Sequence, residues 1–274
     1  MANNAHHPRS TAKPRRRRVA ALFALVAAVG LSMPLASCSS KDESPPAETN
    51  TPEARPTEAT PTETTEAPPS DAPDAPPGAT PIGGITIGQN GEPGGPVPND
   101  AVQVDVVTDY ICPWCKHIED LLGEQLRTMS AAGEIIWVVH PLGYLDTFSE
   151  DEYSTRAANA AVTVAAFAPA KFLDFDALLW ENQPAEGGPG LSDAKLAELA
   201  KQAGVPADVV AKLPEQPFAE WVIQSTATVT TAEGFKGTPW VLLSYQGGKM
   251  YPFANWTTDP LEQAVAKVKA GQAP

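Results

Sequence analysis

The chain has 274 residues, of which 33 are acidic and 19 are basic, and its formal net charge is −14 at pH 7. Residues 1–37 hold six of the basic residues and no acidic one, so the rest carries 13 basic against 33 acidic residues, a formal charge of −20. Nucleic-acid binding requires a basic face, and this balance argues against it.

The first 38 residues have the order of an export signal. A basic segment ending at Arg18 precedes an apolar run from Val19 to Leu35, and small residues follow that run. The sequence Leu-Ala-Ser-Cys at 35–38 resembles a bacterial lipobox, in which the signal is cut before Cys38 and that cysteine receives lipid. The apolar run is short for a membrane-spanning helix, which needs about 20 residues, so an uncleaved anchor is the alternative. We predict a lipoprotein signal peptide at 1–37, lipid attachment at Cys38, and a domain outside the cytoplasm.

A tether is predicted at residues 38–80. Residues 39–80 consist almost entirely of Ser, Thr, Pro, Ala, Glu and Asp and contain no aromatic or large aliphatic side chain. Such a segment cannot bury enough apolar area to offset the entropy lost on ordering, so we predict disorder stiffened by proline. It would hold the domain between roughly 35 Å and 130 Å from the membrane, depending on its extension.

A cysteine pair lies between two predicted strands. Residues 85–87 predict a short strand before a glycine-rich loop, and 102–107 predict a long strand that leads directly into Cys112-Pro113-Trp114-Cys115. Apolar residues then recur at helical spacing until Gly133, and 134–139 predict a second buried strand. Strand, helix and strand in this order predict a βαβ unit with the cysteines at the start of its helix.

The next 100 residues or so predict helices. The predicted helices cover 155–168, 171–181, 193–203 after a Ser192 N-cap, 206–213 and 218–233. A βαβ crossover does not require this much chain, so we predict an inserted helical subdomain at about 150–233. Beyond it the sequence predicts a strand at 240–245, a Gly-Gly turn, a hairpin partner at 249–252 and a final helix at 259–270.

The cysteine pair favours redox chemistry over three other uses. A structural zinc site needs four ligands, usually including a second Cys/His pair, and beyond the signal only His117 and His140 remain. Haem attachment requires histidine directly after the second cysteine, where this chain has Lys116. A purely structural disulfide would gain little from closing so short a loop. We therefore predict a redox-active pair in an exported chain, with no metal.

The position of the pair predicts different roles for its two thiols. The first N–H groups of a helix are unpaired and carry positive partial charge, which favours a thiolate. Pro113 suits the first helical turn because it has no N–H group to leave unpaired. We predict that Cys112 is the exposed, low-pKa nucleophile and that Cys115, one turn deeper, is the shielded resolving thiol.

These motifs together resemble the DsbA-like branch of the thioredoxin superfamily. The resemblance rests on residues 109–116 (Asp-Tyr-Ile-Cys-Pro-Trp-Cys-Lys), the helical insertion, and Gly-Thr-Pro at 237–239 before the final hairpin. It covers about residues 82–274. It implies an α/β thioredoxin-like fold with an inserted helical subdomain.

The resemblance also implies roles for individual residues. It implies that Pro239 is cis and packs opposite the two sulfurs, and that the backbone of Thr238 pairs with a bound substrate strand. Taken alone, Gly-Thr-Pro would predict only a turn before a strand. Trp114 occupies a place where family members often carry histidine, which removes a cationic partner for the Cys112 thiolate.

A proton carrier is harder to assign from the sequence. Many relatives place a buried acid six residues before the nucleophile, where this chain has Val106. Asp105 is expected to point to the other face of the strand. Asp109 is a candidate for proton transfer, and a solvated aspartate that caps the loop is the alternative. His117 is expected on the helix surface, and His140, at a strand end, in a structural role.

The predicted function is thiol–disulfide exchange on exported proteins. We predict that it uses no cofactor other than the Cys112–Cys115 disulfide. The resemblance implies an oxidase with a quinone-linked membrane partner that restores the disulfide. A disulfide reductase or isomerase would use the same residues but would have a more reducing potential. A binding lipoprotein that has kept the fold without turnover is an alternative of a different class.

Overall fold

A computed structural model describes residues 75–274, and its core is one mixed sheet of five strands. The strands are β1 (Ile85–Ile87), β2 (Val102–Thr108), β3 (Ile135–Pro141), β4 (Trp240–Tyr245) and β5 (Tyr251–Pro252). Their order across the sheet is β1-β3-β2-β4-β5. Strands β2 and β3 are parallel, and every other neighbouring pair is antiparallel. The predicted signal, Cys38 and most of the predicted tether lie outside the described residues.

The predicted βαβ unit is confirmed. Helix α1 (Pro113–Ala131) connects β2 to β3 and buries Ile118, Leu122, Leu126 and Met129, which recur at intervals of three and four residues. The chain leaves the helix through Gly133, whose φ of +74° favours a residue without a side chain. This crossover places the start of α1 at the end of β2.

Helices occupy the predicted insertion between β3 and β4. They are α2 (Tyr153–Phe167), α3 (Phe172–Glu181), α4 (Asp193–Gln202), α5 (Ala207–Val210) and α6 (Ala219–Thr230). The predicted N-cap is present, because the Ser192 hydroxyl accepts a hydrogen bond from the Lys195 N–H at 3.2 Å. Buried aromatic side chains of the insertion, among them Phe172, Phe175 and Phe218, belong to the same apolar core as the sheet.

Several element boundaries differ from the predictions. Strand β3 continues to Pro141 because it pairs with β2 along its whole length. The last helix, α7 (Leu261–Lys269), begins after Pro260, which serves as its N-cap residue. The folded domain also begins earlier than the predicted end of the tether at residue 80, since Pro76 is buried and Ala79 bridges to β1. None of the helices within residues 75–274 is both long enough and apolar enough to cross a membrane.

Candidate active site

The end of β2 sets the position of the first cysteine. The chain turns after Thr108, and the Cys112 N–H donates to the Asp109 carbonyl at 3.0 Å. Cys112 is the N-cap residue of α1, with extended φ and ψ, and Pro113 occupies the first turn of the helix. The predicted location of the pair at a helix N-terminus is therefore present in the structure.

The surroundings of Cys112 stabilise its thiolate. Its pKa is lowered to about 6, first by a hydrogen bond from the Cys115 thiol and then by the Thr238 side chain and the N–H groups of Cys115 and Trp114, while burial opposes this shift. Both N–H groups belong to the first turn of α1, where the helix dipole carries positive partial charge. The sequence predicted an exposed thiol, but only 3% of Cys112 is exposed, because Thr238 lies over the sulfur.

Cys115 has the opposite character. It is fully buried, and its Sγ accepts a hydrogen bond from the Asp109 N–H at 3.4 Å. Burial, followed by the hydrogen bond to Cys112, raises its pKa well above the ordinary value for a thiol. One helical turn thus holds a thiol that ionises near neutral pH and a second that stays protonated.

A second loop covers the sulfurs from the start of β4. The Thr238–Pro239 peptide bond is cis, as the resemblance implied. The carbonyl oxygen of Thr238 lies 3.5 Å from Cys112 Sγ. This loop reaches the cysteines because Trp240, the first residue of β4, pairs with Val107 near the end of β2.

Aromatic side chains border the site on the α1 side. Trp114 is 63% exposed and meets His117 edge to face, with ring centroids 5.9 Å apart. His117, on the helix surface as predicted, contacts Trp256 in the same manner at 5.7 Å. Trp114, directly before Cys115, therefore offers an apolar surface to a partner.

Asp109 caps the active-site loop and is not solvated. Its fully buried carboxylate accepts hydrogen bonds from the Ser154 hydroxyl at 2.6 Å, the Leu145 N–H at 2.8 Å and the Ile111 N–H at 3.0 Å. Burial raises its pKa to about 6, against the lowering effect of these donors. The expectation of solvation was wrong, and the role in proton transfer stays a prediction.

The helical insertion holds the same loop through side chains. Gln183, which follows α3, donates to the carbonyl of Cys112 at 2.9 Å and to the carbonyl of Tyr110 at 3.1 Å. The Tyr110 hydroxyl donates to the buried Asp176 carboxylate of α3 at 2.7 Å. The insertion thereby fixes the loop that carries the nucleophile.

Asp105 lies on the opposite face of the sheet, as predicted. Its carboxylate lies 2.8 Å from His140 Nε2, and both side chains are buried. The pair borders an apolar cavity of about 160 Å³ between the sheet and α6, which the cysteines do not line. His140 is therefore a structural partner of Asp105.

Two carboxylates beside Cys115 were not predicted as site residues from the sequence. Glu119 and Asp176 line a cavity of about 10 Å³ together with Cys115 and Val106. Glu119 follows Cys115 by four residues, and that spacing on one face of a helix was a usable signal. Asp176 had no such signal, because it reaches the cavity from the insertion.

A protein-family model described as thioredoxin matches residues 98–249, which include both cysteines and the Thr238–Pro239 loop. The chain belongs to the thioredoxin family. A comparison with curated proteins finds no significant match.

Solved structures share the fold at low sequence identity. Reduced DsbA from Mycobacterium tuberculosis is 23% identical, with a TM-score of 0.52, over 69% of this chain and 98% of that one. MdbA from Actinomyces oris, described as a thiol-disulfide oxidoreductase, is 21% identical, with a TM-score of 0.54, over 74% and 92%. Oxidised BdbD from Bacillus subtilis is 22% identical, with a TM-score of 0.53, over 74% and 100%. The predicted DsbA-like α/β fold with its helical insertion is confirmed.

Proposed function

We propose that the protein is an extracytoplasmic thiol–disulfide oxidoreductase that oxidises the thiols of exported proteins. The observation that carries this proposal is the placement of two thiols one helical turn apart, with Cys112 at the N-cap of α1 beside the Thr238 carbonyl and Cys115 fully buried. This placement lowers the pKa of Cys112 and raises the pKa of Cys115. Such a pair separates an attacking sulfur from a resolving one. The reaction needs no cofactor beyond the Cys112–Cys115 disulfide.

In the oxidising direction a substrate thiolate attacks Cys112 Sγ of the disulfide. The Cys112–Cys115 bond breaks, Cys115 leaves as a thiolate and takes up a proton, and a mixed disulfide forms. A second substrate thiolate then attacks the substrate sulfur, and Cys112 leaves as a thiolate. The substrate has lost two electrons, and the enzyme is the dithiol.

Restoring the disulfide requires an oxidant. The resemblance to DsbA-like proteins supports a quinone-linked membrane enzyme as the class of partner. A lipid anchor at Cys38 would keep the domain at the membrane surface where such a partner lies. Substrates would be exported proteins that carry free thiols or disulfides.

Thr238 supports the assignment of the substrate site. Its carbonyl lies beside Cys112 Sγ, so an extended peptide that presents its cysteine to this sulfur passes the Thr238 backbone. The exposed Trp114 borders the same sulfur and provides apolar contact area. Recognition through backbone and apolar contacts suits a protein that acts on many sequences.

A reductase or isomerase would use the same residues, and the reduction potential separates these functions. Stabilising the Cys112 thiolate stabilises the reduced enzyme and so favours an oxidising potential. We expect a value near the oxidising end, about −120 mV, measured by equilibration with glutathione buffers. The wild-type protein should also oxidise a reduced test protein. A potential near about −270 mV would instead support a reductase.

The anchor is tested at Cys38. Cys38→Ala is expected to leave the domain folded and active in thiol exchange but to prevent lipid attachment, since the thiol that would carry the lipid is gone. Phase partitioning of the expressed full chain into detergent measures the difference. Equal partitioning of the variant and the wild type would favour an uncleaved apolar segment as the anchor.

A further inference from the structure

The proposed reaction moves a proton at a sulfur that is not exposed to bulk solvent. Cys115 must lose its proton before it attacks a mixed disulfide at Cys112, because the thiolate is the nucleophile. In the reverse direction it leaves as a thiolate and must be protonated. Its side chain is fully buried, and its own pKa is far above neutrality. A neighbouring group therefore has to accept and return this proton.

The cavity against Cys115 contains two groups able to do so. It measures about 10 Å³, close to the space that one water molecule occupies. Asp176 and Glu119 line it, together with Thr108 and Trp180. Asp176 is only 4% exposed, so this carboxylate is enclosed together with the sulfur.

The groups that face Asp176 come from the active-site loop and α1. The Tyr110 hydroxyl donates to its carboxylate at 2.7 Å, and Arg127 lies 3.8 Å away. Glu119 raises its pKa by charge repulsion, second to burial. The strands contribute no titratable side chain to the cavity, and the buried residues of α4 are apolar. Tyr153, the buried tyrosine of α2, contributes to the raised pKa of Tyr110.

Glu119 connects this enclosed site to solvent. It lines both the cavity beside Cys115 and a recess of about 220 Å³ at the surface. The recess is also bordered by Lys116, Asp120 and Glu181. The Glu119 carboxylate accepts a hydrogen bond from Arg127 at 2.7 Å, which holds it at the boundary between cavity and recess.

Other candidates do not fit this position. Val106 lines the cavity but carries no titratable group. The Asp109 carboxylate already accepts hydrogen bonds from three donors, and Asp109 does not line the cavity. Asp105 lies on the far side of the sheet.

We propose that Asp176, with Glu119 between it and solvent, accepts the proton of the Cys115 thiol and returns it. This inference rests on the proposed function. In resolution, Cys115 S–H transfers its proton to the Asp176 carboxylate, and the thiolate attacks Cys112 Sγ in the mixed disulfide. The Cys112–Cys115 bond forms, and the substrate sulfur leaves with its electron pair. In the opposite direction, protonated Asp176 returns the proton to Cys115 as it leaves.

The acidity of Asp176 suits this exchange. Burial, followed by Glu119, raises its pKa to about 7, although the Tyr110 hydroxyl and Arg127 lower it. A group that titrates near the working pH is present in both protonation states and serves in both directions. The Tyr110–Asp176 hydrogen bond also links this exchange to the loop that precedes Cys112.

The experiment separates attack from resolution in one stopped-flow trace. Reduced protein is mixed with excess 5,5′-dithiobis(2-nitrobenzoate). Attack by Cys112 releases the first thionitrobenzoate at a rate proportional to reagent concentration, and resolution by Cys115 releases the second at a rate independent of it. We expect Asp176→Asn, whose amide oxygen still accepts from Tyr110, to slow the second phase on the order of 100-fold and to flatten its pH dependence. The first phase should change by less than about twofold, and Asp176→Glu should recover part of the second.

The control is Asp174→Asn, which alters an exposed carboxylate of the same helix that lies 3.6 Å from the Lys171 ammonium group. Its two phases should match those of the wild type. A folded Asp176→Asn variant, checked by circular dichroism, that keeps the wild-type second phase and pH profile overturns the proposal. Where Asp176→Asn fails to fold, Glu119→Gln must slow the second phase, and an unchanged rate overturns it equally. A wild-type protein that releases no thionitrobenzoate would contradict the proposed function itself.

Discussion

Cys115→Ser is expected to accumulate mixed disulfides with substrate proteins through Cys112, whereas Cys112→Ser is expected to accumulate few or none. In Cys115→Ser the attacking sulfur keeps its place at the helix N-terminus, but the thiol that resolves the complex is absent. In Cys112→Ser the remaining sulfur is fully buried and protonated, so it cannot meet a folded partner. Oxidation of a reduced test protein should fall on the order of 100-fold or more in both variants.

Non-reducing electrophoresis of cells that express each variant measures the trapped complexes, and the double variant Cys112→Ser/Cys115→Ser is the matched control. Alkylation of the reduced wild type gives a second measurement. Labelling of Cys112 should rise with a midpoint near pH 6, where its thiolate forms, while Cys115 stays largely unlabelled. Equal trapping by both single variants, or earlier labelling of Cys115, would reverse the assigned roles. Absence of trapping together with an inactive wild type would favour the binding lipoprotein.

Asp109→Ala is expected to lower the free energy of unfolding by about 3 kcal/mol at pH 5, because it leaves three buried donors without an acceptor. The donors are the Ser154 hydroxyl and the N–H groups of Ile111 and Leu145. Urea unfolding measures the loss. Asp174→Ala, in an exposed part of α3, is the control and should change the unfolding free energy by less than about 0.5 kcal/mol.

The loss caused by Asp109→Ala should depend on pH in a defined direction. Burial raises the pKa of Asp109 from 3.8 to about 6, so the folded state favours the protonated carboxyl. Its contribution to stability is fully present below pH 3.8 and declines as the pH rises through 6. The difference between wild type and variant should therefore shrink between pH 4 and 7. A difference that grows over this range would mean that the ionised carboxylate is the stabilised form.

Asp109→Ala also tests the predicted role of Asp109 in proton transfer. Its carboxylate is engaged by donors on the loop and the insertion, and only its backbone N–H contacts Cys115 Sγ. If Asp109 only holds the loop, the folded variant should keep the pH dependence of the resolution step. Loss of the pH dependence of the resolution step in Asp109→Ala would indicate that Asp109 is the proton carrier.

Local signals in the sequence determined the order of the elements and the position of the cysteines. Two apolar strand segments on either side of an amphipathic helix that stops at Gly133 predicted the βαβ unit, because these patterns reflect the geometry of each segment alone. Ser192 marked the start of α4 for the same reason, since a cap acts over three residues. Strand alternation also placed Asp105 away from the sulfurs.

The tertiary structure decided the chemistry around the cysteines. Cys112 is nearly buried because the Thr238 loop, carried by β4, lies over it. Asp176 meets Tyr110 only because the insertion folds back over the start of α1. Asp105 contacts His140 because β2 and β3 pair in one parallel register. Burial, and with it each shifted pKa, depends on which distant segments exclude water from a group, and no spacing within one segment of the sequence specifies that.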